Sequence, residues 1–152
     1  PKTGIATPLV RGCATPLESG QQRSWSGEIV KCSTGFVAVA VGLDHRDGVA
    51  ATHGWTESSG VHVDDLVSQF PTASAFVITD ISRDGMLTGP DVEGLARAVS
   101  QTTIPVIASG GVGSLSHIAE LAAVVGLNGV IVGKALYAGK FTLEQALKVS
   151  GK

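Results

Sequence analysis

The residues able to do chemistry fall into two kinds, carboxylates and glycine pairs, and both follow apolar runs. Asp44 comes directly after Phe36-Val37-Ala38-Val39-Ala40-Val41-Gly42-Leu43. A carboxylate in that position either anchors the amides of a loop or works as a general acid or base. Asp80 and Asp84 follow a second run, Ala75-Phe76-Val77-Ile78-Thr79. One of them braces the loop, because Asp84-Gly85 is turn chemistry, and the other is free to face a pocket. Thr79 offers a hydroxyl at the strand tip, though a β-branched residue ending a strand is ordinary. Val106-Ile107-Ala108-Ser109 runs into Gly110-Gly111, and Val130-Ile131-Val132 into Gly133-Lys134. Backbone amides at such strand-to-helix junctions carry partial positive charge and suit a phosphate, and glycine lets it approach the main chain closely. The alternative is two plain strand-to-helix turns. Lys134 could add its charge to a phosphate or simply lie on the surface. Trp55 could stack on a planar ring, although packing is the commoner role for a lone tryptophan.

These residues must be held by strands and helices, and the pattern supplies four of each. Uninterrupted apolar runs are expected of strands buried on both faces. The first ends near Asp44, and Asp47-Gly48 then signals a turn after which Val49 to Trp55 can pair as a short returning strand. Val61, Val63, Leu66, Val67 and Phe70 mark a helical stripe with Asp64 and Asp65 in its first turn. Pro90 and Asp91 open a helix carrying Val92, Leu95, Ala96 and Val99. Leu115 to Val125 is a third helix, with His117 facing solvent. A fourth strand, Gly129 to Val132, leads through a loop containing Leu136 and Tyr137 to a last helix capped by Thr142 and running to Val149. The strand-end residues Asp44, Thr79, Ser109 and Val132 lie 35, 30 and 23 positions apart. Each interval is one βα unit, so right-handed crossovers give a parallel sheet with its functional loops at the C-terminal strand ends.

Composition narrows the class. The 152 residues make one domain's worth of chain by the usual range of about 100 to 200. Hydrophobic residues at 43% and a mean hydropathy of +0.29 are enough for a core, and aromatics are only 5%. A net charge of −2 gives no case for nucleic acid or a membrane surface. No apolar run reaches the roughly 18 residues of a spanning helix, and no charged-then-apolar leader opens the chain, so a cytoplasmic protein is expected. Cys13 and Cys32 lack ligand-like spacing, and so do His45, His53, His62 and His117; no metal site is expected. Residues 1–35, rich in Gly, Pro, Ser and Thr, read as an irregular or disordered segment apart from Ile29-Val30, which could begin a strand. Trp25 is the large aromatic there. Residues 36–152 read as the phosphate-binding α/β unit.

Several stretches together also resemble one known family. They are Val41 to Gly48, Gly54-Trp55-Thr56-Glu57, Thr79 to Pro90, Ile107 to Val112, and Gly129 to Tyr137. In this order they look like the C-terminal half of the histidine-pathway ProFAR isomerases, over roughly Val37 to Val149. The tryptophan after the Asp44 loop favours the isomerase over the related cyclase subunit of imidazole glycerol phosphate synthase. The resemblance implies four parallel βα units of a TIM-type (β/α)8 barrel, a half-barrel. It implies an Amadori rearrangement of a bis-phosphorylated aminoaldose to an aminoketose, with no cofactor. Asp44 would donate the proton that opens the ribose ring, with Thr79 and Asp84 lining the same site and Trp55 covering the substrate. Ser109, Gly110, Gly111, Gly133 and Lys134 would hold one of two phosphates. The family's other catalytic aspartate closes the first strand of its N-terminal half, and residues 1–35 carry no counterpart to it. A closed barrel also takes eight units and roughly 200 residues or more. The expected partner is a phosphorylated small molecule. The open inner face further suggests a homodimer that completes a barrel. The alternatives are a non-catalytic phosphate-binding half-barrel or a truncated product. Whether a second, tryptophan-pathway substrate is used is open.

Overall fold

The computed structural model describes residues 38–52 and 54–151, together with the backbone of two short strands, β1 (Gln22–Arg23) and β2 (Ile29–Lys31), which pair antiparallel. Ile29 and Val30 are therefore in a strand. Cys13, Trp25, Cys32, Phe36, Val37 and His53 lie outside the described residues.

The main sheet has six strands: β3 (Ala40–Arg46), β4 (Val49–Thr52), β5 (Glu57–His62), β6 (Ala75–Asp80), β7 (Val106–Ser109) and β8 (Leu127–Ile131), in the order β5-β4-β3-β6-β7-β8. The expected parallel set is present: β3, β6, β7 and β8 run parallel, each crossing to the next through helical chain. The helices are α1 (Val63–Leu66), α2 (Val92–Ser100), α3 (Leu115–Ala122), α4 (Lys134–Tyr137) and α5 (Leu143–Ser150). This is the parallel-rich α/β arrangement of a TIM-type (β/α) fold. Among the described residues no helix is long and apolar enough to cross a membrane.

Several boundaries differ from expectation. β3 does not stop at Asp44 but continues through His45 and Arg46, which pair with Ala50 and Val49 of β4. Asp47 and Gly48 both take positive φ (51° and 80°), the two-residue hairpin turn whose twist matches its strands. Val61 lies in β5 rather than on a helix. Ser58, Ser59 and Gly60 are weak helix formers, and β4 is a ready antiparallel partner one turn away. The helix that follows is a single turn, Val63 to Leu66, so Val67 caps it and Phe70 lies beyond it. On α2 the buried residues are Leu95 and Ala98; Ala96 is exposed. α3 ends at Ala122, because the chain turns at Gly126 (φ 89°) to enter β8. β8 begins two residues early, at Leu127. Leu136 and Tyr137 belong to the short helix α4 instead of a loop. Thr142 caps α5 as expected: its hydroxyl accepts from Gln145 N–H (3.2 Å), and Gln145 Oε1 accepts from Thr142 N–H (2.8 Å).

In a strand, side chains alternate between faces, so residues paired across a parallel ladder share a face. Val41, Leu43, Phe76, Ile78, Val106 and Ala108 form the helix-side face and pack with Leu66, Leu95, Ala98, Ile118, Leu121 and Ala146 into the main core. The other face carries Ala40, Ala75 and Ile107 with Val77, a smaller cluster. Following that face toward the C-terminal strand ends leads to Asp44, Thr79, Ser109 and Ile131, which are paired in succession across β3, β6, β7 and β8.

Candidate active site

At the usual strand spacing of about 4.8 Å, the row from Asp44 to Ser109 spans roughly 10 Å. The expected site residues thus fall at one edge of one sheet face, with Asp44 at one end and the glycine loops at the other. The partner of Ser109 is Ile131, not Val132, because β7 and β8 slip by one residue: Val106 pairs with Leu127 but Ile107 with Gly129. Asn128 occupies the slip and its Oδ1 accepts from Val106 N–H (3.2 Å).

Asp44 is half-buried, and its Oδ2 accepts a hydrogen bond from Trp55 Nε1 (2.8 Å). The indole, expected to stack on a ring or to cover the substrate, thus sits against the Asp44 carboxyl group. Trp55 stays 45% exposed and has a positive φ of 74°, a strained conformation for a bulky residue. That backbone folds the β4–β5 connection back over the end of β3.

Asp80 at the end of β6 and Asp84 beyond it divide their work. Asp80 is buried, and its carboxylate accepts from Ser82 N–H (3.0 Å) and the Ser82 hydroxyl and pairs with Arg83 Nε (2.9 Å). Arg83 Nη1 in turn donates to Gly89 O (3.3 Å), so Asp80 and Arg83 stitch the two ends of the loop together. Asp80 is the brace. Asp84 is exposed and lines a cleft of about 120 Å³ with Gly85, Ser109, Gly110, Gly111, Gly133 and Lys134.

The floor of this cleft is backbone against backbone. Gly110 has φ 95°, and a Cβ there would lie 2.8 Å from Asp80 O and 3.6 Å from Asp84 Cα. Gly111 has φ 79°, and a Cβ would run into the Gly89 carbonyl, while its own carbonyl accepts from Gly89 N–H (2.9 Å). Both positions need glycine for conformation and for space. Lys134 is not a free surface cation: its Nζ donates to Gly85 O (2.6 Å) across the cleft mouth.

His117 is half-buried and faces this loop instead of solvent. Ser114 caps α3 and accepts from His117 N–H (3.4 Å), which puts His117 in the first turn, where its side chain leans back toward the helix start. Its Nδ1 accepts from Gly113 N–H (3.1 Å), and its ring lies under Gly89. Arg83, Gly85, Leu87, Gly89 and His117 were not singled out as site residues from the sequence. Gly89-Pro90 was a visible turn signal, whereas nothing marks Leu87 for its positive φ of 61°. Among the described residues no group of three His, Cys, Asp or Glu could hold a metal ion.

Comparison with known proteins gives the family. The sequence profile of a family described as "Histidine biosynthesis protein" matches residues 23–142. A protein of Granulibacter bethesdensis is 50% identical over 112 residues, covering 72% of this chain and 46% of the relative. One of Shouchella clausii is 50% identical over 111 residues (72% and 46%), and one of Prochlorococcus marinus 46% over 115 (73% and 45%). All three are named as isomerases of an imidazole-4-carboxamide bearing two phosphoribosyl groups. The chain spans about half the length of the curated relatives it matches. With the profile covering most of its residues, the chain belongs to the histidine biosynthesis protein family.

Proposed function

We propose that this chain forms one half of an aldose–ketose isomerase site of histidine biosynthesis, acting on a bis-phosphoribosylated imidazole carboxamide by Amadori rearrangement. The observation that carries this reading is the row Asp44–Thr79–Ser109 with the Gly110, Gly111 and Gly133 cleft at its far end. Its length of roughly 10 Å suits a sugar phosphate whose anionic end lies in the cleft while its ring reaches Asp44. In this reading Asp44 protonates the ring oxygen, and Thr79 and Asp84 border the reacting carbons. Trp55, already hydrogen-bonded to Asp44, covers the substrate. Ser109, Gly110, Gly111, Gly133 and Lys134 hold the phosphate. The rearrangement is redox-neutral, C1 being reduced as C2 is oxidised, so it calls for no hydride donor. Enolisation also needs a base near C2 and the second phosphate needs its own site; both belong to the other half of a (β/α)8 barrel.

That half can come from a second copy. Within the described sheet β8 is an end strand, and β3 pairs with β4 only at His45 and Arg46, which leaves the lower part of its edge open. Val39 and Ile131, at the two margins, are 46% and 49% exposed. A homodimer closing these edges predicts a dimeric mass in light scattering; a folded, strictly monomeric chain rejects it. The reaction itself is tested by complementation of a strain lacking the isomerase, with growth lost on Asp44→Asn. A second reading, a phosphate-binding half-barrel without catalysis, rests on the glycine-lined cleft alone. It predicts ribose-phosphate binding without turnover, abolished by Gly133→Asp.

A further inference from the structure

We propose that Lys134 is a positioning residue that couples occupancy of the phosphate cleft to the placement of Asp84. The inference rests on the phosphate reading of the cleft and deepens it. The loop between β6 and α2 has two parts that are held differently. Its base is closed on itself: Asp80 pairs with Arg83, Arg83 Nη1 reaches Gly89 O, and Gly89 N–H donates to Gly111 O. Its tip, Asp84 to Leu87, turns out over the cleft with Asp84 and Met86 exposed. The tip is tied to the opposite wall by the Lys134 ammonium on Gly85 O at 2.6 Å, and the lysine stem lies where a Cβ of Gly85 would meet Cδ at 3.8 Å.

An ammonium carries three donors, so one on Gly85 O leaves two for an anion in the same cleft. Lys134 and Gly85 both line that cleft. A phosphate bound against Gly110 and Gly111 therefore fixes the ammonium, and the ammonium fixes the Gly85 carbonyl next to Asp84. Coupling of this kind is reciprocal: a tip held in place also raises phosphate affinity. Asp84 is thus held more firmly over the substrate when the anionic end of the substrate is seated.

The test follows backbone amide resonances of the full chain during titration with inorganic phosphate. In the unmodified chain, amides of Gly85 to Leu87 should shift with the same midpoint as those of Gly110 and Gly111, and their hydrogen exchange should slow. Lys134→Met should weaken phosphate binding roughly tenfold, the worth of a charge-assisted hydrogen bond. It should also leave the Gly110 and Gly111 response in place while abolishing that of Gly85 to Leu87. Lys134→Arg, which keeps the charge and the donors, should restore the joint response and serves as the check if the methionine variant does not fold. A tip that responds equally in the methionine variant overturns the proposal, as does a tip that never responds while the glycines do. If the glycine amides do not respond either, the phosphate reading itself fails and takes the coupling with it.

Discussion

The two ends of the Asp44–Ser109 row are built in opposite ways. At the glycine end, main chain packs on main chain, so Gly110 and Gly111 have no room for a side chain. At the Asp44 end, a carboxylate is met by one indole N–H from an exposed hairpin connection. Close backbone packing holds its shape because any displacement breaks several contacts at once. A single hydrogen bond between an exposed side chain and a carboxylate is readily exchanged for one to a ligand. On the proposed reading the contrast implies different jobs: the glycine end would fix one end of a substrate, and the Asp44 end would open to admit the other and close over it.

Substitutions can break or sharpen that contrast. The largest effect is expected from Asp44→Asn, which on the proposed reading removes the acid that opens the ring. We expect turnover to fall about 10²–10⁴-fold, read as loss of complementation, with circular dichroism unchanged. Next is Gly111→Ala, which adds strain at a φ of 79° to a collision with the Gly89 carbonyl. It should lower stability by about 1–3 kcal/mol or more in urea unfolding and weaken phosphate binding. Equal stability in the alanine variant would mean that the glycine end is no more rigid than the other. Trp55→Phe keeps an aromatic surface but loses the donor to Asp44 Oδ2. Stability should stay within about 0.5 kcal/mol of the parent in the same urea experiment, while substrate affinity drops. A large stability loss there would make the Asp44 end structural.

The smallest effect is a control away from both ends. Glu144 in the first turn of α5 has its carboxyl held below the ordinary glutamate value by a backbone hydrogen bond and then by the Thr142 hydroxyl. Because the folded value lies below the unfolded one, its stabilisation is present above the unfolded value. It is lost as pH falls through the folded value. The Tm difference between the parent and Glu144→Gln should therefore shrink below about pH 4.

How much of this could be read from the chain depends on the range of the interaction involved. Phe76, Ile78 and Val106 announce buried parallel strands because an unbroken apolar run has few other uses. Gly110-Gly111 likewise announces a close approach. The residue types alone leave the division between Asp80 and Asp84 open; only the resemblance puts Asp84 in the site. Asp-Gly chemistry pointed to a turn at Asp84, but the bracing carboxylate is Asp80, chosen by the facing direction at the end of β6 and by Arg83. Leu127 escaped because the irregularity at Asn128 puts it three residues from Val130 on the same face, a spacing foreign to a regular strand. Val61 fits a helical stripe with Val63 and Leu66, yet it lies in β5. A pairing partner next door in sequence decided otherwise. The bond from Lys134 to Gly85 joins residues 49 positions apart and leaves no local trace.

The glycine-built cleft has a further consequence in the language of titration. Peptide N–H groups neither gain nor lose protons over the range where proteins stay folded, so donors of this kind present the same field at every working pH. A phosphate monoester does change, taking its second negative charge near pH 6. Binding at the Gly110–Gly111 wall should therefore strengthen through that pH in step with the ionisation of the ligand. Its pH profile should shift when the phosphate is replaced by an oxyanion of different acidity.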